Sequence, residues 1–207
     1  MDFFLAGGET TSTTMHWAIS LLIRYPEVQR KLQEEIDAVI GCDRDPVLED
    51  EPQMVYTQAL ICEINRIASL LPFALFHNTT TECKIGNYTI PKDTMICANL
   101  YGVHYDPEIW KDPKEFRPER FLSPDGKTFV KNEALIPFST GKRICFGEPL
   151  AKMEIFYFLT NVFQKFNVTA DPENPFLDGK PSTSFVLLLK RYKAVFQKRY
   201  EWQESVN

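Results

Sequence analysis

Apolar side chains recur at helical spacing over residues 28–40, where Val28, Leu32, Ile36, Val39 and Ile40 share one face while Arg30, Lys31, Glu34 and Asp37 hold the opposite one. Pro26 suits the first turn of such a helix, because a helix start leaves that N–H unbonded anyway, and Gly41 stops it. The first face is predicted to pack and the second to be solvated. Upstream, MDFFLAGGETTSTTMHWAISLLIRYP has the apolar content of a buried helix over residues 3–24, and it begins abruptly, like a helix entered midway. A third helix is predicted over residues 54–70, closed by Pro72, whose ring a helix cannot easily pass.

The period then changes. FALFHNTT, CKIGNYTI and DTMICANL are short β-rich runs between turn signals, with Gly86-Asn87 marking a hairpin and Pro91 another turn, so a small sheet is expected. Residues 106–137 are rich in proline and charge, with aromatics interleaved, and read as a long irregular segment that specific contacts must tie down. EPLAKMEIFYFLTNVFQKF is apolar on most faces, which predicts a buried helix of about five turns. FVLLL, residues 185–189, suits a buried strand, and STSFVLLLKRYKAVFQKR is expected to form a terminal hairpin. No internal repeat interrupts this order.

Composition changes the picture little: 207 residues, 44% hydrophobic, 25% charged and net charge -5 describe one domain or two with a sizeable core. Lys and Arg are scattered rather than gathered into a stripe, which argues against a nucleic-acid binder. The group Lys190, Arg191, Lys193, Lys198 and Arg199 reads as a solvated strand face. No run approaches the ~20 apolar residues of a spanning helix. Cys42, Cys62, Cys83, Cys97 and Cys145 form no C-x-x-C pair and are odd in number, so neither a disulfide framework nor a zinc site is implied, and free thiols in a reducing setting are expected.

One of these thiols has unusual neighbours. In FSTGKRICFG, residues 138–147, Cys145 lies between Gly141 and Gly147 and just before the apolar helix, where unbonded N–H groups and the positive end of the helix dipole favour a thiolate. Gly141 permits a tight turn and Gly147 a close backbone approach. Phe138 and Ile144 are expected to shield the sulfur from water, and Arg143 offers a fixed cation for a carboxylate or phosphate. A lone buried cysteine is otherwise a small core residue.

The whole loop resembles the haem-binding loop of the cytochrome P-450 family, F-x-x-G-x-R-x-C-x-G, at every specified position. That resemblance implies haem as cofactor, with Cys145 as axial thiolate and metal ligand, Arg143 on a haem propionate, and Gly147 and Ala151 at the family's positions on the following helix. Three further marks occur in the family's order. AGGETT, residues 6–11, resembles the distal-helix signature, in which Ala6 and the glycines open space above the haem and the acid–alcohol pair Glu9 and Thr10 relays protons; in isolation Thr10 could simply bond a carbonyl one turn back. EINR places Glu63 and Arg66 on one helix face, and FRPERF supplies Arg120, so the resemblance implies a buried Glu63, Arg66 and Arg120 triad fastening the irregular segment to the third helix. LLPFALFH matches a stretch lining the substrate pocket and makes His77 a second haem anchor, against the plainer reading of a satisfied strand histidine.

Across residues 1–207 the resemblance implies a mainly α fold with small β-sheets, the C-terminal (proximal) half of the cytochrome P-450 fold: second half of the distal helix, E-x-x-R helix, β-region, meander, cysteine loop, proximal helix and terminal hairpin. It is nearest to animal microsomal members. The implied activity is insertion of one oxygen atom from O2 into a lipophilic substrate, with electrons from NADPH through a reductase that Lys142 and Lys152 would face; pocket residues at 71–76 and 183–185 say only that the site is apolar. The implied setting is the cytosolic face of the endoplasmic reticulum membrane, held there by an N-terminal anchor that these residues do not include. Two alternatives stand beside it: a truncated, non-catalytic fragment or isoform, and an oxygen-independent haem-thiolate isomerase.

Overall fold

The computed structural model describes residues 2–174, 179–182 and 184–200, with the side chains of residues 2, 3 and 5 left aside. Four helices carry the core: α1 (Asp2–Arg24), α2 (Pro26–Val39), α3 (Val55–Ala68) and, late in the chain, the five-turn α5 (Glu148–Lys165). Their apolar stripes meet in one cluster that includes Trp17, Leu21, Leu32, Ile36, Leu60, Ile64, Phe156, Leu159 and Phe163. Val28, Leu32 and Ile36 of α2 and Ile40 just past its end are buried, as their period predicts, Val39 is partly so, and Pro26 opens the helix. The opposite face of α2 also makes contacts: Lys31 reaches Glu119 at 2.6 Å and Asp37 reaches Arg199 at 2.6 Å.

Polar groups settle how the helices dock. Glu35 of α2 accepts from the backbone N–H groups of Tyr56 and Thr57 and from the Thr57 hydroxyl, each at 2.7 Å. It thereby caps the start of α3 from a neighbouring helix, satisfying donors that a helix leaves orphaned. Gln29, also buried on α2, donates to the Val168 carbonyl at 2.9 Å and accepts the Val168 N–H at 2.9 Å, copying a strand's bonding pattern with a side-chain amide.

Strands are short. β1 (His77–Asn78) pairs antiparallel with β4 (Met95–Ile96), and β2 (Cys83–Ile85) with β3 (Tyr88–Ile90) around the Gly86-Asn87 turn. The expected small sheet is therefore two separate ladders. A five-residue helix, α4 (Leu100–His104), follows, its start capped by the Asn99 side chain accepting from Gly102 N–H at 2.9 Å. Residues 106–137 hold no long element and pack through Trp110 and Phe121 onto Ala59 of α3.

The C-terminal expectations need correction. β5 (Phe166–Ala170) leads directly from α5 and pairs with β6 (Ala194–Lys198), so the terminal strand reaches back 28 residues rather than closing a local hairpin. Residues 185–189 form no strand: Leu189 makes an isolated bridge with Pro181, and the run is pinned instead by the Leu187 carbonyl, which accepts from Trp17 Nε1 at 2.8 Å, and by Leu187 N–H donating to Leu70 O at 2.9 Å. Arg199 is not solvated either. Its guanidinium bonds Asp37 and the Phe163 and Gln164 carbonyls. Two helices expected to be buried are so only in part. On α1 the residues from Thr11 onward pack while Phe4 and Glu9 are exposed, and on α5 Leu150, Met153, Tyr157 and Phe158 face outward, because within this chain the helices converge only along their inner stripes.

Candidate functional site

Cys145 sits on the loop that a short 3-10 turn, Gly141–Arg143, delivers to the start of α5. Two left-handed residues shape it: Gly141 at φ 78, where no side chain is penalised, and Ser139 at φ 65, where one is. The Cys145 N–H donates to Phe138 O at 2.9 Å, Glu148 N–H donates to Cys145 O at 3.3 Å, and Ala151 N–H donates to Gly147 O at 2.9 Å. The thiol is thus tied by backbone bonds on both sides. A β-carbon placed at Gly147 would stand 4.0 Å from the Cys145 sulfur, in contact but not in collision.

The sulfur itself is exposed, as are Ile144 and Arg143, so the expected shielding by Phe138 and Ile144 is absent from this chain's own packing. Phe138 lies instead under Lys152, whose ammonium is 5.9 Å from the ring centroid and 2.5 Å from Glu148. This face combines one soft sulfur donor, a neighbouring guanidinium, a glycine-opened backbone and exposed apolar side chains. Such a donor set suits a flat, apolar, anionic-edged cofactor with a thiolate-binding metal.

On α1, Glu9 is exposed, and the Thr10 hydroxyl donates to Ala6 O at 2.6 Å, the intrahelical bond that an ordinary helical threonine makes. Thr11, one position on, donates to Glu154 of α5 at 3.2 Å and links the two helices that carry the candidate residues. His77 is half-buried in β1 opposite Ile96. Nothing brings it to Cys145 through a direct contact among the described residues. Phe73, Leu75, Phe76 and Phe185 form an exposed apolar group in which the Phe76 and Phe185 rings meet edge to face at 5.9 Å; Thr183 lies outside the described residues.

Glu63, Arg66 and Arg120 are brought together in the interior. Arg66 Nε and Nη2 bond the two Glu63 oxygens at 2.7 and 2.8 Å, and Arg120 Nε bonds Glu63 Oε1 at 3.0 Å. Arg66 also donates to the carbonyls of His104, Pro113 and Glu115, while Arg120 takes those of Lys111, Asp112 and Glu115. The Arg66 guanidinium lies 5.2 Å from the Trp110 ring centroid. Burial lowers the pKa of Arg120, with the Glu63 carboxylate acting in the opposite direction. The proline-rich segment is therefore wrapped around two guanidinium groups that one carboxylate neutralises in part.

A further buried residue escapes the sequence reading. His104 has no exposed surface; its Nε2 accepts the Ile136 N–H at 3.1 Å, which leaves Nδ1 to donate to the Ser69 hydroxyl at 3.1 Å. Burial, reinforced by the Arg66 charge, lowers its pKa to about 4, so the ring is neutral. The Asn99 cap and the position of His104 at the end of a short helix are the only local signals; its acceptor role depends on an amide 32 residues away.

Comparison with known proteins places the chain in one family. The model of the cytochrome P450 family matches residues 1–196. The chain is 42% identical over 199 residues to a farnesoate epoxidase of Bombyx mori, covering 96% of this chain and 40% of that protein. It is 39% identical over 203 residues to a steroid 17-alpha-hydroxylase/17,20 lyase of Rana dybowskii, covering 98% and 39%. Against cytochrome P450 2A4 of Mus musculus the identity is 42% over 200 residues, covering 96% and 40%. The chain spans about two fifths of the length of these relatives. On the family match and on identities of about 40% over almost its whole length, this chain belongs to the cytochrome P450 family.

Proposed function

We propose that the chain is the haem-thiolate segment of a monooxygenase that inserts one oxygen atom from O2 into a lipophilic substrate. The observation that carries this reading is the cysteine loop: one accessible thiol on a residue whose backbone N–H and carbonyl are both bonded, set before α5, with Arg143 two residues away. The farnesoate and steroid named for two relatives support a lipophilic substrate class, as do the exposed Phe73, Leu75, Phe76 and Phe185. When bound, haem supplies the oxygen activation and the oxygen-atom transfer.

The chain's own residues do the holding. Cys145 would supply the thiolate sulfur to the iron, on a backbone held at its N–H by Phe138 O and at its carbonyl by Glu148 N–H. Arg143 would pair a propionate, and His77 of β1 would anchor a second one. Glu9, exposed on α1, and Thr10, once its hydroxyl turns from Ala6 O, would form the proton relay. Electrons come from NADPH through a reductase, for which Lys142, and Lys152 beside its partner Glu148, contribute positive charge at the loop. The whole protein belongs, on this reading, at the cytosolic face of the endoplasmic reticulum membrane. Among the described residues no helix is long and apolar enough to cross a membrane.

The test is Cys145→Ala in the haem-loaded protein. The reduced, carbon-monoxide-bound parent is expected to show the red-shifted Soret band of thiolate ligation, and the variant to lack it. The same band surviving in Cys145→Ala would remove the reading.

A further inference from the structure

His104 stands where three otherwise separate pieces of the protein meet. Its carbonyl accepts from Arg66 at 2.9 Å and so belongs to the ion triad. Its Nδ1 bonds Ser69, the residue that ends α3 in a left-handed conformation at φ 38. Its Nε2 accepts the N–H of Ile136, and from there a short chain of backbone bonds runs to the Cys145 backbone: Ser139 N–H donates to Ile136 O at 2.9 Å, and Cys145 N–H to Phe138 O, on the same peptide as Ser139 N, at 2.9 Å. Ser139 holds a disfavoured φ of 65, so the turn it makes needs an outside constraint, and the Ile136 bond to His104 adds a hydrogen bond into the core beside the packing of Ala134 and Leu135.

We infer that His104 is a positioning residue for the cysteine loop: its imidazole transmits the fixed geometry of α3 and the ion triad to Ile136, and through the 136–139 turn sets where the Cys145 sulfur points. The proposal rests on Cys145 being the haem ligand. One neutral ring does this because it offers a donor on one side and an acceptor on the other, about one ring-width apart, in a place water does not reach. Arg66 has no acceptor to offer, and Ser69 alone does not span the distance to Ile136.

Two amide substitutions separate this role from simple packing. In His104→Gln the side-chain oxygen falls near the place of Nε2 and can still accept from Ile136, whereas in His104→Asn the amide falls near Nδ1, keeping Ser69 and losing Ile136. Hydrogen exchange at the Ile136 amide is expected to be near the parent's in H104Q and about tenfold or more faster in H104N. In the haem-loaded protein, the thiolate fraction of the carbon-monoxide complex should fall in H104N and recover in H104Q. Should H104N fail to accumulate, Ser69→Ala, which removes only the group orienting the ring, takes its place with the same expected direction in both readouts. Equal exchange and equal thiolate fraction in H104N and the parent would overturn the proposal. So would faster exchange with an unchanged thiolate fraction, which would leave His104 a packing residue. A parent without a thiolate band would instead remove the haem-thiolate reading, and the exchange comparison alone would then decide whether His104 fixes the loop.

Discussion

Glu63→Gln tests how the irregular segment is held. Glu63 is fully buried and takes four donors: Arg66 Nε on Oε2, and Arg66 Nη2, Arg120 Nε and the Arg117 N–H on Oε1. The amide keeps the volume and one acceptor oxygen. It also turns an NH2 toward a guanidinium that can only donate, and it removes the one negative charge bonded to Arg66, whose remaining partners are three carbonyls. Stranding a buried cation in this way costs about 3–5 kcal/mol. For a chain of 207 residues that corresponds to a fall in Tm of about 6–20 °C. Urea unfolding of the haem-loaded protein should show the midpoint moving at constant slope. Glu63→Gln combined with Arg120→Gln should lose less than the sum of the single losses, because the second change no longer breaks a charge pair. A loss under about 1 kcal/mol in Glu63→Gln, or strict additivity with Arg120→Gln, would show that the carbonyl cages hold both guanidinium groups without the carboxylate.

Three further outcomes are expected. The folded protein keeps His104 neutral down to about pH 4 while the unfolded chain takes up that proton near 6.5, so the unfolded state binds more protons in between. The contribution of His104 is complete above about pH 6.5 and falls by about 3 kcal/mol toward pH 4, and melting curves across this window should be shallower in pH for H104Q than for the parent. Glu35→Ala uncaps α3 and should cost about 1–3 kcal/mol by urea unfolding, with Thr57→Val on that background adding little because the two share a bond. Thr10→Ala should retain haem content and substrate binding while product formed per NADPH falls, and unchanged coupling would leave Thr10 as the ordinary helical threonine that its bond to Ala6 describes.

What the sequence discloses depends on how far each determinant reaches. The α2 stripe, Pro26 and the Gly86-Asn87 turn are local, and the elements they predict are found close to where they were expected. Cys145, Arg143 and the Glu63–Arg66 pair lie in compact motifs, so their candidacy is legible too. The misses are non-local. An apolar run such as residues 185–189 says it wants cover without saying whether from a strand partner or from Trp17; here Trp17 and Leu70 take its backbone groups. β6 pairs across 28 residues with a strand that its own pattern cannot name. His104 is a bare histidine until the Ile136 amide is brought beside it.

The Gln29 amide carries a consequence for how this molecule behaves in company. β5 has β6 along one side; on the other, Val168 directs its N–H and carbonyl to Gln29, and Gln33 takes the Phe166 carbonyl. A sheet edge that would otherwise invite a foreign strand is closed by two side chains of a helix, which cannot themselves be extended. The ladder therefore stops growing on that side, with no proline, bulge or charge placed in the strand to stop it. Replacing Gln29 with leucine keeps the helix but leaves the buried Val168 N–H and carbonyl without their partner while Gln33 still holds Phe166, so a loss of about 1–3 kcal/mol at an unchanged fold would be the signature of the missing amide.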